Sequence, residues 1–158
     1  MTTSSSTSPS HRTLHLVDLE NLVGDPRADA RTALATLDTY LELAHWHHDD
    51  HVILASNPAL ISRVMYDLPV PASVHCARGD DGADVMLLSL APIELVAKRY
   101  ARLVIGSGDG IFAARAAAVR ERGVAVDVVA RAAGCSRRLH QFGCTYLPSR
   151  TTDIVLAA

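Results

Sequence analysis

Two aspartates stand just after apolar segments of the chain and are the residues best placed to bind a cation. Asp18 directly follows the apolar segment that ends at Val17, and Asp109 lies shortly after the one that ends at Gly106. Open α/β sheets bind ligands beyond the carboxyl ends of their strands, where the strand order reverses. In the common doubly wound orders the first and fourth strands are neighbours, so we expect these two carboxylates to face each other.

Two facing carboxylates are stable only under a limited set of conditions. They repel each other unless a cation lies between them or one of them takes up a proton. Mg²⁺ or Mn²⁺ suits an all-oxygen site of this kind, and the amide of Asn21 can add a carbonyl oxygen or hold a water. The alternative, in which Asp18 and Asp109 merely cap the helices that follow them, stays open because aspartate is a common helix cap.

A third acidic segment precedes the middle of the chain, with the sequence Gly79-Asp80-Asp81-Gly82-Ala83-Asp84. Its glycines allow the backbone to approach a ligand closely. Asp84 falls in the first turn of the helix that follows, where the helix dipole favours a negative charge. This segment is predicted either to complete the carboxylate site or to be a solvated helix start.

The elements that must position these residues are short strands alternating with helices. Five strands are predicted, at Thr13–Val17, His51–Ala55, Ala72–Cys76, Arg102–Gly106 and Val124–Val129. The best-defined helix carries apolar residues from Ala30 to Ala44 at helical spacing, and Asp25 with Pro26 is its predicted start. Strands separated by helices imply parallel crossovers. The predicted fold class is a three-layer α/β/α domain with a mostly parallel central sheet.

Composition indicates one packed domain in an intracellular protein. The chain has 158 residues, 49 % of them hydrophobic and 20 % charged, which is enough for one core and argues against disorder. Residues 1–12 are predicted as a polar tail, 13–150 as the domain and 151–158 as a C-terminal tail. The N-terminal sequence does not resemble a signal peptide, no apolar run is long enough to cross a membrane, and the three cysteines suggest reduced thiols. A cytoplasmic location without membrane association is therefore expected.

Positive charge is concentrated in the last third of the chain. The net charge of −2 argues against a general nucleic-acid coat protein, because such proteins usually carry a large positive excess. Arginines nevertheless outnumber acids after residue 115, and guanidinium groups match phosphate geometry well. Arg131, Arg137 and Arg138 are the predicted nucleic-acid contacts. Solvated helix surface is the alternative.

The order and spacing of these motifs resemble the NYN domain family, within the PIN-like superfamily of metal-dependent nucleases. The resemblance covers residues 13–148. It rests on Asp18-Leu19-Glu20-Asn21 after the first strand, Gly82-Ala83-Asp84 opening a helix, and Ser107-Gly108-Asp109-Gly110-Ile111-Phe112 after the fourth. It implies that Asp18, Asp84 and Asp109 are the catalytic metal ligands for Mg²⁺ or Mn²⁺. Asn21, Ser107 and Asp81 are then supporting groups.

The resemblance implies a ribonuclease that hydrolyses RNA phosphodiester bonds. Many relatives carry a second acid where this chain has Ile111, and the middle helix lacks a further acid. These departures leave open a catalytically degenerate NYN-like module that binds RNA or a protein. A small phosphatase is a more distant alternative. RNA is the expected partner, and the sequence is compatible with a homo-oligomer.

Overall fold

Six parallel strands form the centre of the part of the protein that is described, residues 11–149 of a computed structural model. The strands are β1 (Thr13–Asp18), β2 (His51–Ser56), β3 (Ser73–Cys76), β4 (Arg102–Gly106), β5 (Ala125–Arg131) and β6 (Gly143–Leu147). They form one sheet in the order β3-β2-β1-β4-β5-β6, and every neighbouring pair is parallel. The predicted α/β/α fold class is confirmed.

Helices cover both faces of this sheet. They are α1 (Leu19–Val23), α2 (Ala30–Leu43), α3 (Pro58–Val64), α4 (Gly82–Leu90), α5 (Ile93–Arg99) and α6 (Ala113–Glu121). One apolar core joins the sheet to α1, α2 and α3, and a second joins it to α4, α5 and α6. All six residues of β1 are buried, as a central parallel strand between two helical layers requires.

The two predicted aspartates lie at or just after the ends of β1 and β4, the neighbouring strands between which the strand order reverses. β1 pairs with β2 on one side and with β4 on the other. Val17 lies opposite Gly106 in the register, so Asp18 and the loop after β4 leave the sheet together. The expected adjacency of the first and fourth strands is therefore confirmed.

Two local predictions need correction. Asp25 and Pro26 do not start α2: the helix begins at Ala30 with Asp29 as its cap, and the Asp25 carboxylate instead accepts the backbone N–H of Arg27 in a turn. Strand β5 was predicted to end at Val129 but continues to Arg131. Because that extension pairs with β6 up to Leu147, the backbone of Arg131 belongs to the sheet and not to the following loop.

The tails lie largely outside the described residues. Residues 1–10 of the predicted N-terminal tail and residues 150–158 at the C-terminus are outside this range. Arg12, at the end of the predicted tail, donates a hydrogen bond to the carbonyl of Asp49. Within residues 11–149, none of the helices is long and apolar enough to cross a membrane.

Candidate metal centre

Asp18 is held at the end of β1 because it also caps α1. Its Oδ1 accepts the backbone N–H of Asn21 at 3.0 Å, and α1 then ends at Gly24 in the left-handed conformation. Asp18 is buried, and the cap fixes the direction of its side chain. The capping role proposed as an alternative is therefore real, but it engages one carboxylate oxygen and does not exclude a second role.

The loop after β4 carries Asp109 and is tied directly to the loop after β1. The Oδ1 of Asn21 accepts the backbone N–H of Gly108 at 2.9 Å. Ser107 is fully buried, and its hydroxyl accepts the backbone N–H of Asp109. Asp109 itself accepts the N–H of Ile111 through Oδ1. The two predicted supporting residues thus fix the backbone of the loop that presents Asp109.

Asp84 lies at the centre of the acidic cluster. Carboxylate oxygens of Asp81, Asp84 and Asp109 all lie within 4.8 Å of one another. The Asp84 carboxyl group also lies close enough to that of Asp18 for each to shift the pKa of the other. Among the described residues this is the one group of three or more acids, histidines or cysteines with such spacing. The structure therefore brings Asp84 and Asp109 together with Asp81, which was predicted as a supporting group, and places Asp18 beside Asp84.

The start of α4 does not behave as an ordinary capped helix. Asp81 occupies the N-cap position but makes no capping hydrogen bond with its side chain. Its carboxylate is exposed and faces the cluster of Asp84 and Asp109. Asp84 in the first turn is only 4 % exposed. Helix capping alone does not explain why Asp84 is buried or why the Asp81 carboxylate lies beside it. A cation site explains both better.

Burial and repulsion from neighbouring acids shift two residues of this site, Asp18 and Asp84, towards their neutral forms. Burial, followed by the contacts with Asp18 and Asp109, raises the pKa of Asp84 from 3.8 to about 8. Burial also raises the pKa of Asp18, although the hydrogen bond from Asn21 opposes this shift. The cluster is thus unstable as a set of bare carboxylates at neutral pH.

A divalent cation fits this arrangement. Oδ1 of Asp84 is buried and has no hydrogen-bond partner among the described residues. Such an atom carries a desolvation cost of about 1–3 kcal/mol unless something binds it. A hard cation held by Asp81, Asp84 and Asp109 would satisfy that oxygen and offset the repulsion between the acids.

Two of the three predicted nucleic-acid arginines lie next to the acidic site. Arg137 and Arg138 are exposed on a 3₁₀ helix, Arg137–Leu139, in the loop between β5 and β6. That loop packs against the loop that presents Asp109, since the N–H of Ser136 donates to the carbonyl of Gly108 at 2.8 Å. A side chain at Gly108 would collide with the backbone of Gly134, which explains why only glycine fits between the loops.

Arg131 points in a different direction. Because it is the last residue of β5, its side chain alternates with that of Ala130, which lies in the core formed with α4, α5 and α6. The guanidinium group lies against Gly24, at the end of α1 on the opposite face. The three arginines predicted as one set therefore form two separate positive positions.

One polar contact of the site was missed from the sequence. The amide Nδ2 of Asn57 donates to Oε2 of Glu20 at 2.7 Å and connects the loop after β2 to α1, the helix that Asp18 caps. Asn57 also caps α3 through Oδ1. A polar residue immediately after a strand was the signal in the sequence that could have indicated this contact.

Comparisons with known proteins agree with the fold described above and with the predicted family. The family model for the NYN domain matches residues 17–142. Among curated proteins, no sequence matches the chain. A crystal structure of a protein of unknown function from Vibrio parahaemolyticus superposes with a TM-score of 0.57 at 14 % identity, covering 90 % of this chain and 97 % of the other. That likeness concerns the fold alone.

Proposed function

We propose that this chain, which belongs to the NYN domain family, is a metal-dependent ribonuclease. The family match covers most of the chain, and NYN domains are part of the PIN-like nuclease superfamily, whose members generally use divalent metal ions. The substrate proposed here is RNA, and the ion is Mg²⁺ or Mn²⁺. Asp18, Asp84 and Asp109 are the proposed catalytic ligands.

The observation that carries this proposal is the buried, unpartnered Oδ1 of Asp84 inside a cluster of acids. Proteins avoid burying a carboxylate that neither a hydrogen bond nor a cation satisfies. The first turn of α4 holds that carboxylate beside Asp18 and Asp109, whose strands β1 and β4 meet at the switch point, where ligands bind in this class of fold. A purely structural helix start offers no reason to bury Asp84 beside Asp18 and Asp109.

Each residue of the site has a distinct task in this proposal. A bound divalent ion supplies Lewis acidity, polarising the phosphoryl oxygen and lowering the pKa of a coordinated water. Asp84, Asp109 and Asp18 hold that ion, and Asp81 adds a carboxylate from the solvent side. Asn21 and Ser107 keep the loop of Asp109 in place through its backbone. The cations at Arg137 and Arg138 attract the phosphates of the substrate strand.

RNA cleavage with Mn²⁺ tests the proposal. We expect the wild-type protein to cut a single-stranded RNA and Asp109→Asn to lose at least about two orders of magnitude in rate, because the isosteric amide removes a ligand charge. Asp38→Asn, an exposed aspartate on α2 outside the site, is the matched control and should retain full activity. Cleavage by Asp109→Asn at the wild-type rate, with contaminating nuclease excluded, contradicts the assignment.

A non-catalytic RNA-binding module is the second candidate. The observation in its favour is Ile111, whose side chain is 37 % exposed next to Asp109, where many relatives carry another acid. The site therefore has one carboxylate fewer on that side. A protein that binds Mn²⁺ and RNA yet leaves the RNA intact over a long incubation supports this candidate instead.

A further inference from the structure

Two exposed apolar side chains border the acidic cluster. Ile111 follows Asp109 by two residues and is 37 % exposed, and Val85 follows Asp84 directly and is 57 % exposed. Single apolar side chains are common on protein surfaces and need no function there. These two are distinctive because each lies next to a proposed ligand of the metal.

The backbone holds Ile111 beside the carboxylate of Asp109. The N–H of Ile111 donates to Oδ1 of Asp109 at 2.9 Å, within the 3₁₀ turn Gly110–Phe112. The next side chain, that of Phe112, is fully buried in the core and anchors this turn to the domain. Ile111 therefore presents apolar surface to the solvent at a fixed place beside the acids.

Val85 is held in a similar way on α4. Its N–H donates to the carbonyl of Asp81 at 3.1 Å. Residues four apart share one face of a helix, so Val85 lies one turn beyond Asp81, whose carboxylate belongs to the cluster. Helix α4 also contacts the turn that carries Ile111. The two apolar side chains thus belong to two elements that meet at the acids.

A positive charge lies next to Ile111. A Cβ atom built at Gly110 would be 3.6 Å from Cδ of Arg138, so the stem of the arginine passes beside the residue that precedes Ile111. Arg138 is exposed, which leaves its guanidinium group in reach of a phosphate. Carboxylates, apolar surface and a guanidinium group therefore lie side by side.

This combination matches the chemistry of a nucleotide in an unpaired strand. Its phosphate requires a cation, and Arg138 supplies one. Its base has a flat face that loses contact with water when it packs against a side chain, whichever base it is. A carboxylate in place of Ile111 would instead repel the phosphates of the strand. The apolar residue is therefore suited to a base rather than to a second metal ion.

We propose that Ile111 and Val85 pack against the bases that flank the phosphate to be cut, and that Arg138 binds a neighbouring phosphate. The acids between the two side chains receive the scissile phosphate. Single-stranded RNA is the substrate that fits, because the bases of a duplex are stacked and offer no face to a side chain. This inference rests on the proposed function, since it takes RNA as the substrate of the acidic site.

A short single-stranded RNA with one abasic nucleotide, placed in turn at each position around the cut, tests these base contacts. With full-length protein and Mn²⁺, Ile111→Ser and Val85→Ser should each raise KM about fivefold and leave kcat unchanged, because the apolar contact binds substrate and transition state alike. An abasic nucleotide at a flanking position should raise the wild-type KM by a similar factor. Each variant should be insensitive to the loss of the base that it no longer contacts.

Two further variants control for indirect effects. Ile111→Leu keeps the apolar surface and should behave as the wild type with every RNA. Tyr66→Ser alters a side chain that is 87 % exposed in the turn after α3, and it should change neither constant. A loss of affinity in Tyr66→Ser as large as that in Ile111→Ser contradicts a specific contact.

The outcomes separate this inference from the proposed function. If the abasic RNAs affect Ile111→Ser and Val85→Ser as strongly as the wild type, the base contacts are overturned and the ribonuclease proposal stands. If the wild type leaves the RNA intact, fluorescence anisotropy with the same RNAs gives dissociation constants in place of KM. The same pattern of losses then supports the base contacts and overturns cleavage alone, whereas absence of RNA binding overturns both proposals.

Discussion

Replacing Asp84 by asparagine should stabilise the metal-free protein and remove its response to metal. The folded-state pKa of Asp84, about 8, lies above the ordinary value of 3.8. Protonation of Asp84 therefore favours the folded form. Its contribution to the free energy of unfolding is complete below about pH 4 and is lost as the pH rises through about 8. At ~1.36 kcal/mol per pKa unit, ionisation of Asp84 lowers the free energy of unfolding by at most about 6 kcal/mol above pH 8.

The measurement is urea unfolding in EDTA at pH 5, 7 and 9. We expect the wild-type free energy of unfolding to fall between pH 5 and pH 9, and that of Asp84→Asn to fall much less. Replacing the EDTA by free Mn²⁺ at a hundred times its dissociation constant should stabilise the wild type by about 2.7 kcal/mol and leave Asp84→Asn unchanged. Asp38→Asn, exposed on α2, is the control and should follow the wild type.

A uniform loss of stability would refute this assignment of Asp84. If Asp84 only supports the start of α4, Asp84→Asn should destabilise the protein by a similar amount at pH 5 and pH 9. Mn²⁺ should then stabilise the wild type and the variant equally, or neither of them. Either outcome removes Asp84 from the metal site.

The hydrogen bonds and close approaches around the site give two further predictions. Asn21→Ala removes the acceptor for the N–H of Gly108, so it should weaken Mn²⁺ binding by about tenfold in calorimetry, and unchanged affinity contradicts its positioning role. Gly24→Ala and Gly123→Ala, with φ of 74° and 86°, should each cost about 1 kcal/mol in urea unfolding. Only the former also displaces the Arg131 guanidinium, so Gly24→Ala should cost at least as much as Gly123→Ala, and a smaller cost at Gly24 contradicts that close approach.

The acidic site was largely predictable because each of its residues follows a clear local signal. Asp18 and Asp109 come directly or shortly after buried strands, and Asp84 opens a helix after two glycines. Parallel strand order then brings the first and fourth strand ends together. The capping role of Asp18 and its closeness to Asp84 are compatible, and the sequence alone could not show that both hold.

The separation of the arginines was not predictable, because it depends on where one strand ends. A prediction that β5 stops at Val129 places Arg131 in the same loop as Arg137 and Arg138. Pairing with β6 extends β5 to Arg131, and strand alternation then turns this side chain towards α1. Such pairing is a tertiary interaction between two segments of the chain, and no local sequence pattern indicates it.

Helix α1 was not predicted from the sequence, for a related reason. It has five residues, too few for a hydrophobic periodicity to be recognised. Its two end signals are present in the sequence, as Asp18 at its cap and Gly24 at its end. Their combined effect is apparent only in the folded chain, where Asn57 also donates a hydrogen bond to Glu20 of this helix.

The chemistry of the RNA ends tests the central claim most directly. Cleavage of a defined RNA with Mn²⁺ in ¹⁸O-labelled water, followed by mass spectrometry of the products, identifies the attacking oxygen. Attack by a water activated at the carboxylate site should place one ¹⁸O in the new terminal phosphate, and Asp109→Asn should yield no product. Products that end in a 2′,3′-cyclic phosphate without ¹⁸O, formed equally by Asp109→Asn, contradict a metal-dependent hydrolase built on Asp18, Asp84 and Asp109.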